Sequence, residues 1–153
     1  MTQQIDPRGP QFTAAVTAVV LAVVLVTAPS SFATALLGVQ AALFGLGAAL
    51  GVQRTPHAWV FRTLIRPRLA PPADTEDAAP PRFAQAVGLG FAAIGVVGFA
   101  AGLTGVGLVA TGFALVAALL NAVFRFCLGC ELYLLIRRLT TAGDRQKNAL
   151  TTH

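Results

Sequence analysis

Four long stretches of this chain are almost free of charge, and that constrains its fold more than any other feature. Phe12 to Ala28, Phe32 to Val52 and Phe83 to about Leu103 carry no charged residue. Leu108 to about Ile136 carries only Arg125 and Glu131. A helix needs roughly 20 predominantly apolar residues to cross a bilayer, and lipid tolerates only helices or closed barrels, because every backbone polar group must be satisfied within the structure. Barrel strands would alternate apolar and polar residues over about 10 positions. These stretches are continuously apolar and rich in Ala and Leu, so the pattern predicts helices. Of 153 residues, 56% are hydrophobic and 11% charged, whereas a soluble domain averages about 25% charged. Little chain is left for a separate soluble domain, and two cysteines cannot make a disulfide scaffold.

The expectation is an all-α integral membrane four-helix bundle, a single membrane domain over 1–153. Its spans fall at about 12–28, 32–52, 83–103 and 108–136, with a loop at 53–82 and a polar tail at 137–153. The Ser31–Ala35 stretch resembles a signal-peptide cleavage site. However, the segment before the first span has one arginine offset by Asp6, and no soluble domain follows. The stretch is therefore read as part of the second span.

Charge placement predicts the orientation. Arg8 precedes the first span; Arg54, Arg62, Arg66, Arg68 and Arg82 lie between spans two and three; Arg137, Arg138, Arg145 and Lys147 follow span four. The short connections at 28–31 and 103–107 hold no basic residue. Basic loop residues stay on the cytoplasmic side, which puts both termini and the middle loop in the cytoplasm. Orientation and attraction to anionic headgroups explain the net charge of +5, so no nucleic acid is called for.

The middle loop predicts a short interfacial helix. Thr55 caps it, Pro56 takes the first helical position, and Trp59, Val60, Phe61, Leu64 and Ile65 fall largely on one face with Arg62 and Arg66 toward the other. Such a helix suits the headgroup layer; Arg62, Arg66 and Arg68 could alternatively dock a cytoplasmic partner. The segments Pro10–Val16 and Pro81–Val87 share Pro, Phe, Ala and Val at matching places, which points to two helical hairpins in parallel repeat or to convergence of two similar membrane entries. Gly47-x-x-x-Gly51 and Gly98-x-x-x-Gly102 have the spacing that lets helices approach closely. The Gly102–Gly107 stretch has no following Lys-Ser/Thr and is no phosphate loop. His57 stands alone and makes no metal site, and no cofactor is called for.

The fourth span is the most polar. Asn121, Arg125, Cys127, Cys130 and Glu131 are costly in lipid and should face a protein interior or a cavity. On a continuous helix Asn121 and Arg125 share one face, and Cys127, Cys130 and Glu131 another; Gln40 and Gln85 are the expected partners on spans two and three. The pair Cys127-Leu-Gly-Cys130 falls near the cytoplasmic boundary, late in that helix. A Cys-x-x-Cys pair suits thiol exchange when one thiol is activated. Glu131 opposes a thiolate, and the late position in a helix does not favour one. Packing by two small side chains is the competing reading. A single pair with no histidine beside it is no zinc site. Four-helix quinone-linked thiol oxidases use a second cysteine pair and face the oxidising side, and this chain lacks both features.

Asp6-Pro-Arg-Gly-Pro10 with Phe12, Arg66-Pro-Arg68 followed by Pro71-Pro72, Pro80-Pro-Arg-Phe-Ala-Gln85, and Cys127-Leu-Gly-Cys130-Glu131 together resemble the bacterial membrane family catalogued as domain of unknown function 4395. The resemblance covers nearly the whole chain. It implies a four-span membrane protein, common in actinobacteria, without an established activity, and proximity to thioredoxin-like or sulfurtransferase proteins. The leading expectation is a membrane component of cytoplasmic-side thiol or sulfur metabolism. Cys127 and Cys130 would be the exchanging pair, Arg125 and Glu131 their neighbours, and Arg62, Arg66 and Arg68 the docking surface for a thioredoxin-like or sulfurtransferase partner. The alternatives are a non-catalytic scaffold or accessory subunit, and a small permease, a homo-oligomer given only four spans, whose cavity is lined by Gln85, Asn121 and Arg125.

Overall fold

The computed structural model describes residues 4–150, with side chains as far as 141; Arg145 and Lys147 of the charge layout lie outside the described side chains. Four long helices dominate: α1 (Arg8–Thr27), α2 (Ser31–Leu50), α4 (Ala79–Ala100) and α5 (Thr104–Phe124). Each has an 18-residue window of mean hydropathy between 1.7 and 2.2, enough to cross a membrane. Their outward residues are apolar: Val26 is 86% exposed, and Val19, Val97 and Val123 are each 65% exposed. Apolar surface on this scale, on helices of this length, marks a multi-pass membrane protein.

Local chemistry sets the helix ends. Ser30 accepts the Ala33 N–H and caps α2, satisfying one of the amides a helix start leaves unpaired. The α2 C-terminus is closed by an arginine from another helix: Arg82 donates from Nε to the Ala48 carbonyl at 2.6 Å and from a terminal nitrogen to that of Ala49 at 2.7 Å. A cation there also meets the negative end of the helix dipole. Gly51, at φ 95°, then turns the chain.

The helices form an up-down-up-down bundle in the cyclic order α1, α2, α4, α5, so α1 and α4 run parallel across one diagonal. Glycines bring the helices together. A Cβ on Gly47 would lie 2.8 Å from the Gln85 Oε1, one on Gly88 2.9 Å from the Phe44 ring, and one on Gly98 2.7 Å from the backbone nitrogen of Gly107. The two predicted Gly-x-x-x-Gly faces are not packing faces, however. Gly47 and Gly98 make close approaches, whereas Gly51 and Gly102 have nothing within 4 Å and instead supply positive φ at helix ends. The main core, including Leu21, Val24, Ala33, Leu37, Ala92 and Phe99, gathers toward the end carrying the short connections. Gln40 is buried there as well, and donates to Thr17 of α1 at 3.4 Å rather than meeting the fourth long helix as expected.

The loop contains α3 (Pro56–Val60), which continues through a wider turn at Phe61–Ile65 and a tighter one at Arg66–Arg68. Thr55 caps α3 as expected, accepting from the Ala58 N–H at 3.3 Å. The expected single apolar face is split. Phe61 turns inward, 6.0 Å from the Phe12 ring and against Gly9, where the missing side chain leaves room, while Trp59 and Leu64 stay exposed. A two-residue bridge joins β1 (Gln4–Ile5) to β2 (Glu76–Asp77) antiparallel, and Arg8 reaches from its Asp6 ion pair to the Ala70 carbonyl. Both tie the start of the chain to the loop.

The largest departure is in the fourth stretch. The continuous helix expected over 108–136 is two helices. α5 ends at Phe124, Arg125 adopts the left-handed conformation at φ 56°, and α6 (Leu128–Leu150) starts anew and carries helix through what was read as a polar tail. Helix α6 lies against the start of α4, where Gly129 meets the Ala84 backbone closely and Tyr133 stands 5.7 Å from the Phe83 ring.

The two halves of the chain therefore correspond beyond the Pro10–Val16 and Pro81–Val87 match. Each is a long hairpin followed by a further helical segment. In each, the phenylalanine of the matching segment, Phe12 or Phe83, packs on an aromatic of the segment that follows, Phe61 or Tyr133. In each, a positive-φ residue, Gly51 or Arg125, separates the two parts.

Candidate functional site

The break at Arg125 changes the setting of the cysteines. Cys127 does not sit late in a helix; it immediately precedes α6, and its carbonyl accepts the Glu131 N–H at 3.0 Å. Its sulfur accepts the Cys130 N–H at 3.3 Å, just as Thr55 accepts that of Ala58 at the start of α3. Cys127 and Cys130 are joined as a disulfide across a Cα separation of 5.2 Å. A helix start presents unpaired amides and the positive end of the dipole, and cysteines so placed have stabilised thiolates. Glu131, in the first turn of α6, opposes that effect, so the thiol pair lies between a favourable backbone field and an unfavourable carboxylate.

Both sulfur-bearing residues line a cavity of about 900 Å³ at the loop end of the bundle. Its walls come from α1, α4, α5, the first two turns of α6 and the loop at 74–77. It reaches inward to Thr17 and Phe44, and Thr17 lies nine residues along α1 from Arg8, or about 14 Å at 1.5 Å per residue. The lower wall is apolar, with Phe91, Phe113 and Ala114. The rim carries Asp74, Glu76, Asp77 and Glu131 against Arg8 and Arg125. Of the groups expected on the fourth span, Asn121, Arg125, Cys127, Cys130 and Glu131 all line this one cavity, with Asn121 in the last turn of α5, Arg125 just past its end and the cysteines at the start of α6. Gln85 lines it too.

Arg62, Arg66 and Arg68 are not part of this wall. They are exposed on the segment after α3, and Arg68 folds back to donate to the Leu64 carbonyl. His57 is partly buried, and that desolvation lowers its pKa from the ordinary value of 6.5. Among the described residues no cluster of three His, Cys, Asp or Glu side chains could hold a metal ion.

Two contributors escaped the sequence reading. Gln11 donates to the Ala122 carbonyl at 2.9 Å, joining α1 to the last turn of α5 beside the cavity; an isolated glutamine near a helix start gives no sign of such a partner. Phe91 and Phe113 form a pair with ring centroids 6.1 Å apart, and only their meeting in space identifies them, since both read as ordinary apolar residues.

The model of one protein family, described as a domain of unknown function (DUF4395), matches residues 5–138. No curated protein and no solved structure matches the chain.

Proposed function

Taking as premise that the chain belongs to the DUF4395 family, we propose that it is a membrane component of thiol or sulfur metabolism in which Cys127 and Cys130 act as a dithiol–disulfide pair on the cytoplasmic face. The observation that carries this reading is the position of Cys127 at a helix start, its sulfur accepting the Cys130 N–H. In the disulfide form a thiolate of a reduced thioredoxin-like or sulfurtransferase partner attacks the Cys127 sulfur, and Cys130 leaves as a thiolate that takes up a proton. The partner's second thiol, losing its proton, then attacks the partner sulfur of the mixed disulfide, and Cys127 leaves as a thiolate. The partner departs as a disulfide. Two electrons pass to the Cys127–Cys130 pair. Arg62, Arg66 and Arg68 supply the docking charge for the partner, and the arginine distribution supports an orientation with both termini on the cytoplasmic side of a bacterial inner membrane.

Trapping tests this directly. Cys130→Ser in intact cells should accumulate a mixed disulfide through Cys127, and Cys127→Ser should accumulate far less. A double Cys→Ser variant that fully restores a deletion phenotype would end the thiol reading. Reporter fusions at 70 and at the C-terminus should report the cytoplasm.

A further inference from the structure

The cavity beside the cysteines has a second neighbour. A shallow groove of about 410 Å³ runs along the outer surface of α4 and α5, and its lining, including Ile94, Val106 and Val109, is wholly apolar. Ile94 and Val109 are 52% and 59% exposed, on helices that carry the membrane-crossing hydropathy. Phe91 and Phe113 line both the groove and the inner cavity. The two rings are thus the shared wall between a surface that lipid covers and the space that the disulfide lines. Phe113 is 61% exposed.

This arrangement selects the chemistry of an occupant. Four carboxylates face two guanidinium groups at the rim, which disfavours anionic carriers such as nicotinamide dinucleotides or glutathione arriving from the loop end. Entry past Phe91 and Phe113 favours an apolar, flat molecule that partitions into the bilayer. The side-chain amides of Gln85 and Asn121 both line the cavity and make no hydrogen bond within the described structure, so they are available donors for neutral carbonyl oxygens. An apolar cavity of this size with a few polar groups is the usual form of a small-molecule site.

We propose that this cavity binds a quinone-class two-electron carrier from the bilayer, and that the carrier is the electron acceptor for the Cys127–Cys130 pair. The proposal rests on the thiol reading above. The reduced pair loses two electrons and two protons as its sulfur–sulfur bond forms, and the ring takes up both as its two carbonyls become hydroxyls. The absence of a second cysteine pair, which argues against a relay between two such pairs, is no obstacle here. The sulfur-bearing residues line the same cavity as the acceptor, so no shuttle is needed.

The test uses the full chain in lipid nanodiscs, reduced, desalted and mixed with decylubiquinone. Two readouts are followed: quinone retained per protein, and the rate of thiol loss. Wild type should retain about one quinone, and its thiols should disappear with quinol formed in equal amount. Ala117→Phe, which fills the cavity wall, and Asn121→Leu, which removes an amide donor, should each lower both readouts at least tenfold. Cys127→Ser/Cys130→Ser should still retain quinone. Displacement of co-purified phospholipid without thiol oxidation would mean that the cavity holds an acyl chain, and it would overturn the proposal. So would thiol oxidation at equal rates in wild type and both cavity variants. Failure of partner exchange with quinone retention intact would instead remove only the thiol reading of the preceding section.

Discussion

The close approach of α4 and α5 makes a quantitative prediction. A Cβ at position 98 would lie 2.7 Å from the Gly107 backbone nitrogen and 3.1 Å from its Cα, both well inside van der Waals contact. The obstacle is backbone, so no rotamer change relieves it and the helices must separate. Overpacking of this kind costs about 1–3 kcal/mol, and the upper half of that range applies where the neighbour cannot move. Alanine recovers roughly 0.5–1 kcal/mol over glycine in a helix interior, which leaves Gly98→Ala destabilised by about 1–2 kcal/mol. Gly90, in the same helix, has nothing within 4 Å. Gly90→Ala should therefore keep the helix gain and stabilise by about 0.5–1 kcal/mol. Reversible unfolding of both variants in mixed micelles should move them in opposite directions from wild type and separate them by about 1.5–3 kcal/mol. Equal stabilities would refute the backbone-to-backbone packing of α4 on α5.

Other consequences follow from single contacts. Removing the α2 cap by Arg82→Ala should destabilise by about 0.5–2 kcal/mol, the range for lost helix caps, and amide hydrogen exchange should rise at the last turn of α2. Gly51 holds φ 95° and ψ 148°, a conformation essentially confined to glycine, so Gly51→Ala should cost about 1–3 kcal/mol in the same unfolding assay. His57 has a folded pKa below 6.5 because burial disfavours its charged form. The unfolded chain therefore binds the proton more readily, and stability is held above about pH 6.5 and lost as pH falls through the folded pKa. Melting followed from pH 7.5 to 5 should show that loss, and His57→Phe should remove this part of the pH dependence.

The four apolar helices were legible because hydropathy over about 20 residues is a collective signal that survives local detail. The start of α3 was legible for a different reason, since Thr55 followed by Pro56 is a local chemical instruction. The break between α5 and α6 was not. Phe124, Phe126 and Leu128 keep the chain apolar across it, no glycine or proline marks it, and Arg125 takes a left-handed conformation that few non-glycine residues adopt. With the break unseen, Cys127 was assigned to the wrong end of a helix, and the electrostatic argument about its thiolate was turned around. Gln40 was recognised as a buried polar group needing a partner, but sequence alone cannot say that the partner is Thr17 on α1. Arg82 was counted as a topology charge, and its second role as the cap of α2 depends on a helix more than thirty residues earlier in the chain. The cavity was half visible: Gln85, Asn121 and Arg125 were grouped correctly as lining residues, but the phenylalanines that border it on the lipid side carry no distinguishing mark.

The matching helix starts at Thr55 and Cys127 give the protein a blueprint for its own inert form. In the first half a threonine with an alanine three residues on begins such a segment. Rewriting the second half in that image, with Cys127→Thr and Cys130→Ala together, should erase the sulfur chemistry and leave the architecture standing, so that any phenotype of the doubly altered chain reports reactivity alone.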